Sequence, residues 1–192
     1  EIIDLLRPTS ANHLIIFVLG GGGSALFTAP YKISVKKKAD IISALMNANA
    51  PIGELNIVSK HLSEVKGGRF AKLAYPSRVI ALIFSDVPGN DLSTIASGPT
   101  VMDKTSSDQA EQVLKKHGIW EKLELEGLEF SETPKEEKYF AKVTNILLQD
   151  PSSVVVAMKE KSRELGWKPR VLSTSLQGEA REVVKLLLTQ AK

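Results

Sequence analysis

Four consecutive glycines, Gly20 to Gly23, and then Ser24 follow directly on the apolar run of residues 14–19. Glycine loses more conformational freedom on folding than any other residue, so such a run needs a reason. That reason is a tight turn, a close helix contact, or a ligand that touches backbone. Amides with no side chains in the way surround an anion well, which makes Gly21, Gly22, Gly23 and Ser24 candidate anion ligands. The alternative is a turn that only lets the next helix pack closely. A second constellation, "SEVKGGRF", sets Lys66, Gly67, Gly68 and Arg69 together, two cations around flexible backbone, as a phosphate cradle would need. It also reads as a helix C-terminus with a glycine stop. In "SDVPGND", Asp86 follows another apolar run, where a carboxylate can take a hydroxyl proton or hold Mg²⁺. An aspartate before Pro-Gly more commonly bonds its own backbone, and Asp91 reads as loop. "IASGPT" places Ser97, Gly98, Pro99 and Thr100 in a rigid turn. Asn56, Lys60 and Ser63 share one helix face at i, i+4 and i+7, with His61 beside them, and the plain reading of such a face is solvation.

Familiar motifs fit these residues poorly. Gly20, Gly22 and Ala25 match the loose pattern G-x-G-x-x-A, but Asp40, the acidic residue at the right distance, falls inside a helical pattern. No Walker P-loop spacing occurs, and a nucleophile elbow fails because Leu26 stands where its last glycine belongs. Ser24 is better read as a hydroxyl donor than as a nucleophile. The chain has no cysteine, which removes disulfides, thiolate metal sites and cysteine nucleophiles. Its three histidines, His13, His61 and His117, fit no short metal motif, and His117 reads as a helix-end cation. Twenty-five basic residues against 22 acidic ones give a net charge of +3, and the lysine clusters lack interleaved aromatics, so nucleic acid is not an expected partner. No apolar run reaches the ~20 residues of a membrane span, and "EIIDLLRPTS" is not a signal peptide. A cytoplasmic protein is the expectation.

The elements that must carry these residues are legible. Runs at 14–19 and 79–84, a weaker one at 145–149 and "RVLS" at 170–173 read as strands. Their continuous apolarity predicts burial on both faces, in a mostly parallel sheet between helix layers. Helices are predicted over 35–49, over 52–62, from an Asp108/Glu111 capping box to Gly118, from Asp150 and Pro151 through "SSVVVAMKEKSREL", and over "EAREVVKLLL". Residues 123–139, with Glu132, Thr133 and Pro134, read as a surface excursion. The expected architecture is one α/β domain over 1–192, three-layer α/β/α and Rossmann-like. The absent initiator Met and the helical pattern running to the last residues suggest a domain cut from a longer protein.

Taken in order, "GGGSALF" with Pro30, "ELNIVSKHLSEVKGGRFA", "SDVPGNDLSTIASGPT" and "GEARE" resemble the glycerate 2-kinase family, in which this domain precedes a MOFRL domain. The resemblance runs from about residue 14 to 182 and implies phosphorylation of D-glycerate by ATP with a divalent cation, Mg²⁺, in a cleft between two domains. The 2-phosphoglycerate product is favoured. It further implies that Gly21, Gly22, Gly23 and Ser24 form the family's glycine turn and that Lys66, Gly67, Gly68 and Arg69 form its K-G-G segment. Asp86 would be the catalytic and metal-binding carboxylate and Lys66 a catalytic cation. Asn56, Lys60, Ser97, Gly98 and Thr100 would complete the substrate and nucleotide contacts. Two positions depart from the pattern: Ser59 stands where an arginine commonly precedes Lys60, and Gly20 where a serine often precedes the glycines. A catalytic lysine and the MOFRL domain are expected outside residues 1–192, which leaves this domain inactive alone. The expected partner is a small hydroxy acid, with a homodimer compatible. Some relatives carry the label hydroxypyruvate reductase, so an NAD(P)-linked reductase and a non-catalytic phosphometabolite-binding domain are the alternatives.

Overall fold

The structure, a computed structural model, describes residues 1–176, 178 and 180–190. Three parallel strands, β1 (Leu14–Leu19), β2 (Arg78–Phe84) and β3 (Val143–Gln149), lie in the order β1-β2-β3. Leu14 pairs with Arg78 and Leu19 with Ile83, and Val79 pairs with Val143, so all three strands end at one sheet edge. A parallel pair cannot be closed by a tight turn and needs a crossover, and each gap in the sequence supplies helices for one. Between β1 and β2 run α2 (Gly23–Leu26), α3 (Val35–Asn47), α4 (Ile52–His61) and α5 (Arg69–Ala74). They follow α1 (Ile2–Leu6) at the start of the chain. Between β2 and β3 run a 3-10 turn at Ile95–Ser97, α6 (Ser107–Lys116) and α7 (Ile119–Lys122), and β3 leads into α8 (Pro151–Glu164) and α9 (Ala180–Gln190).

Two apolar clusters hold this arrangement. In the first, Phe17, Leu19, Val79, Ala81 and Ile83 on one sheet face pack against Leu6, Phe70, Ala74, Ile95 and Ala96. Phe17 and Phe70 stack with centroids 4.1 Å apart. The second cluster involves no strand: Ile41 and Leu45 of α3, Val58 of α4 and Ala110, Val113 and Leu114 of α6 meet Leu62, Ile119 and Leu125. Their i, i+4 spacing on each helix is the sequence feature that builds it.

The α/β class and the parallel sheet are as expected. Burial on both faces is not: Leu14, Ile16 and Val18 of β1 are exposed, and α8 has no buried residue. An all-apolar strand satisfies either a covered or an open second face, so the run alone could not distinguish them. Residues 170–173 are irregular rather than a fourth strand. The helix expected to start at Asp108 starts earlier, because Ser106 takes an extended conformation and forms the capping box with Gln109; Asp108 then lies in the first turn, where the helix dipole favours it. At α8 the Asp150 cap and Pro151 are as predicted. Glu179, the expected first residue of the last helix, lies outside the described residues. No helix among the described residues is long and apolar enough to cross a membrane.

Candidate active site

The side chains of interest converge where the two clusters meet, under the C-terminal end of β1. The Ser34 hydroxyl accepts from Lys37 N at 3.0 Å and caps α3. That start phases the helix so that Val35, Lys38, Ile42 and Met46 fall at i, i+3, i+7 and i+11 along one face. Helix α4 follows Pro51 and offers Ile52, Leu55, Asn56 and Ser59 at i, i+3, i+4 and i+7. The loop after α4 is folded by Ser63, whose Oγ accepts from Val65 N and Lys66 N, each at 3.2 Å. Gly67 N then donates to Ser97 O at 2.9 Å and Gly68 N to Gly98 O at 2.7 Å, which stitches the K-G-G segment to the "SGPT" turn. A Cβ on Gly67 would lie 2.7 Å from Thr133 Cγ2, and its φ is +59°, so glycine is required there by both contact and backbone.

These elements enclose a cleft of about 460 Å³. Its inner wall carries Ser24, Lys38, Asn56, Ser59, Lys66 and Ser97, and its outer wall the apolar residues of α3 and α4; among the described residues no carboxylate lines it. Lys66 Nζ donates to Ser24 O at 2.5 Å and Ser59 Oγ at 3.5 Å. Lys38 Nζ donates to Ser59 O at 3.2 Å. The Ser97 hydroxyl donates to Asn56 Oδ1 at 2.8 Å. Both lysines are buried, and among the described residues neither forms an ion pair. Burial disfavours the charged ammonium and pulls Lys66 down to about 8. Lys38 falls to about 7 through burial first and then the positive charges of Lys66 and Arg69.

The other cations behave differently. Lys60 donates to Asp103 Oδ1 at 2.9 Å in a buried ion pair. Asp103 Oδ2 also accepts from Thr105 Oγ1 at 2.6 Å and Thr133 Oγ1 at 3.1 Å. Burial pushes the Asp103 carboxyl up, but the hydrogen bonds from Thr105 and Lys60 and the Lys60 charge outweigh it and hold it below the usual range. Arg69 turns its guanidinium onto backbone carbonyls: Nη1 donates to Lys60 O at 2.7 Å and Lys66 O at 3.3 Å, and Nη2 to Ser131 O at 2.6 Å. His61 is fully buried, with Nδ1 donating to Ser131 O at 2.8 Å; burial lowers its pKa and keeps the ring neutral at pH 7.

Of the residues singled out in the sequence, Ser24, Asn56, Lys66 and Ser97 therefore line one cleft. The glycine turn adjoins it. Gly21 amide and Gly22 amide donate to no other described group, whereas Gly23 N is spent on Gly20 O at 3.2 Å. A Cβ on Gly23 would lie 2.9 Å from Leu19 Cδ1 and 3.2 Å from Ala96 Cβ. One of the four glycines thus serves packing, while positions 20 and 21 have open space around them. Lys60 lines an adjoining groove with Asp91 and Thr94. Gly67, Gly68, Arg69 and Gly98 form the wall behind the cleft, and Thr100 Oγ1 donates to Asn145 Oδ1 of β3 at 2.6 Å. Asp86 is exposed just past the end of β2, at the same sheet edge as the glycine turn, and does not line the cleft. Solvation of the Asn56, Lys60 and Ser63 face is corrected: Lys60, His61 and Ser63 are buried, Lys60 against Asp103, His61 against Ser131 and Ser63 in a bridge with Pro30. Thr133 and Pro134, expected in a surface excursion, are buried too, since Thr133 fills the space beside Gly67. His117 meets Glu54, with Nε2 and Oε2 2.6 Å apart.

Sequence reasoning passed over Lys38 and Asp103. Lys38 sits in a Lys36–Lys38 run that reads as solvated surface, yet its helical phase with Val35 and Ile42 is the signal that would have found it. Asp103, in "VMDKTSS", belongs to no periodic pattern.

Comparison with known proteins is consistent with this architecture. Residues 1–129 match the family described as a domain of unknown function, DUF4147. A D-glycerate 2-kinase of Thermotoga maritima is 37% identical over 193 residues, covering 100% of this chain and 46% of the relative. A glycerate 2-kinase of Pyrococcus horikoshii is 38% identical, covering 95% of this chain and 43% of its own length. The crystal structure of the Thermotoga maritima glycerate kinase superposes with a TM-score of 0.76 at 34% identity, over 98% of this chain and 45% of that one. The chain thus spans about half the length of the curated relatives it matches. With the family match covering its strands β1 and β2 and the whole cleft, this chain belongs to the DUF4147 family.

Proposed function

We propose that this domain belongs to an ATP-dependent kinase that phosphorylates D-glycerate, with 2-phosphoglycerate as product. The observation that carries the reading is the buried Lys66 in an acid-free cleft, adjoining a glycine turn with unspent amides, at the C-terminal edge of a parallel sheet. Ligands gather at such edges in open α/β sheets. The names of the relatives supply the reaction class.

In this reading the acceptor hydroxyl of glycerate attacks the γ-phosphorus of the nucleotide. The P–O bond to the β-phosphate breaks, ADP leaves, and the hydroxyl proton passes to the Asp86 carboxylate. Phosphoryl transfer depends mostly on positioning and on stabilising the charge on the transferring group. Lys66 Nζ and the amides of Gly21 and Gly22 supply positive ends to phosphate oxygens, and Ser24 a hydroxyl. Asn56 and Ser97, already hydrogen-bonded to each other, offer polar contacts on the same wall. Lys60, Arg69, Gly67, Gly68, Gly98 and Thr100 act from behind by holding that wall. Among the described residues no three His, Asp or Glu cluster, whereas the single open carboxylate of Asp86 suits Mg²⁺, which is commonly held by one or two carboxylates together with substrate phosphates. Mg²⁺ bound there would neutralise charge on the phosphates. Residues beyond this chain complete the cleft, in keeping with the span of the relatives, and the whole protein is cytoplasmic.

The test uses the full-length protein with ATP, Mg²⁺ and D-glycerate. Enolase added alone converts 2-phosphoglycerate to an enol phosphate that absorbs in the ultraviolet, whereas 3-phosphoglycerate needs a mutase first. Signal with enolase alone supports the 2-phospho product. Wild-type turnover in Asp86→Asn removes Asp86 from the mechanism, and oxidation of NADPH or NADH by hydroxypyruvate replaces the kinase reading with a reductase.

A further inference from the structure

The cleft holds two buried lysines and, among the described residues, no counter-charge, and only one of the lysines belongs to the motifs that brought the kinase reading. Lys38 is 6% exposed and Lys66 2%. A buried ammonium is costly unless paired, and the other buried cations among the described residues have an ion-pair partner or several backbone carbonyls. Lys60 has Asp103, and Arg69 has three carbonyls. Lys38 has a single carbonyl, that of Ser59. Position 59, beside that ammonium, is a serine. The small side chain leaves room on the cleft wall, and an ammonium from the neighbouring helix enters beside it.

The cleft is also two-sided. Val35, Ile42 and Met46 of α3 face Ile52 and Leu55 of α4 across its outer half, and Val35, Met46 and Ile52 are more than half exposed. Large apolar side chains left open around a concavity mark a ligand surface. A three-carbon hydroxy acid has no apolar face to set against them and is far smaller than about 460 Å³. A nucleoside triphosphate has both parts: a flat base for the apolar walls and a polyanion for the two ammonium groups.

We propose that this cleft is the nucleotide site, and that Lys38 is a phosphate-binding residue which, together with Lys66, supplies the positive charge that the phosphates meet there. The acceptor then binds outside the cleft, toward Asp86. This assignment rests on the kinase reading for the choice of a nucleotide. The depressed ammonium pKa values agree with it, because a polyanion is what would return both groups to their charged forms.

The experiment measures ATP and inorganic tripolyphosphate binding calorimetrically on full-length protein without acceptor, and steady-state KM for each substrate. Lys38→Met is expected to weaken ATP and tripolyphosphate binding by about 10- to 100-fold, with glycerate KM changed less than twofold. The variant should also melt at a higher temperature than wild type at pH 6.5, since a charge without a partner has been removed. Adding Ser59→Arg to Lys38→Met should restore ATP binding to within about threefold, which a merely structural lysine would not predict. Unchanged ATP binding in Lys38→Met, a rise confined to glycerate KM, a lowered melting temperature, or failure of Ser59→Arg to rescue would each overturn the inference. ATP binding that depends on Lys38 in a protein that does not phosphorylate glycerate would sink the acceptor assignment and leave the nucleotide site standing.

Discussion

Replacing Asp103 by alanine tests the electrostatic frame of the site. Its carboxylate forms the ion pair with Lys60, whose side chain is 7% exposed, and it accepts from the hydroxyls of Thr105 and Thr133. Removing one member of a buried ion pair leaves the other charge uncompensated, at a cost of about 3–5 kcal/mol. The two hydroxyls lose their acceptor at up to ~1 kcal/mol each. A total near 5 kcal/mol is comparable to the whole stability of many domains, about 5–15 kcal/mol. With a urea slope of about 2 kcal/mol per M, the unfolding midpoint should fall by roughly 2–3 M. Lys60→Met with Asp103→Leu, which removes both charges, should recover most of the loss. The pH dependence has a definite sign. The Asp103 carboxyl is held below its ordinary value, so its stabilisation is present above that value and is lost as pH falls through the folded one. The penalty of Asp103→Ala should therefore shrink at acid pH. A midpoint shift under 0.5 M at pH 7 (about 1 kcal/mol on the same slope), or a penalty that grows on acidification, would refute this account of the pair.

Two other perturbations follow from the same geometry. Gly67→Ala should destabilise by about 2–3 kcal/mol in denaturant unfolding, because its Cβ meets Thr133 Cγ2 at 2.7 Å and φ is +59°; Thr133→Ser beside it should return part of the loss. Lys38 and Lys66 titrate below their ordinary value, so from about pH 7 to 10.5 the unfolded chain holds protons that the folded chain has released, and folding stability gains with pH across that window. The charged groups facing them are each other and Arg69, with Lys60 already neutralised by Asp103. The advantage of Lys38→Met in melting temperature at pH 6.5 should accordingly shrink as pH rises through that window and be lost by pH 10. By the same linkage, ATP binding at pH 8.5 should take up protons, read from calorimetry in buffers of different ionisation enthalpy.

How far the sequence reached depends on whether a residue's role is local. Strands at 14–19 and 79–84 were legible because short unbroken apolar runs beside turn residues suit buried strands. The cap at Asp150 is local chemistry and was read as such, although the cap at Ser106 competed with a box starting two residues later. "RVLS" failed as a strand since four residues of correct composition still need a neighbour to pair with, and no local signal encodes one. In the site, Ser24, Asn56, Lys66 and Ser97 were found as separate motifs and meet only through the crossover of β1 to β2. Lys38 and Asp103 were missed for opposite reasons. Lys38 hid in a charge run whose other members, Lys36 and Lys37, sit toward solvent or a loop carbonyl. Asp103 takes its role from distant partners, Lys60 43 residues away and Thr133 30 residues away.

The domain handles its buried cations in two ways, and the difference separates scaffold from site. Lys60 and Arg69 lie behind the K-G-G wall with strong partners inside the chain, Asp103 for one and the carbonyls of residues 60, 66 and 131 for the other. Such cations join the α3–α4–α6 cluster to the sheet cluster and have little left for a ligand. Lys38 and Lys66 lie in front of the wall with carbonyl and hydroxyl partners only, in a cleft without a carboxylate. A fold under selection for stability alone gains by replacing such a pair with apolar residues of similar size. Holding both against that gain is explained if an anion brings the missing negative charge, and the apolar outer walls restrict that anion to one with a hydrophobic part.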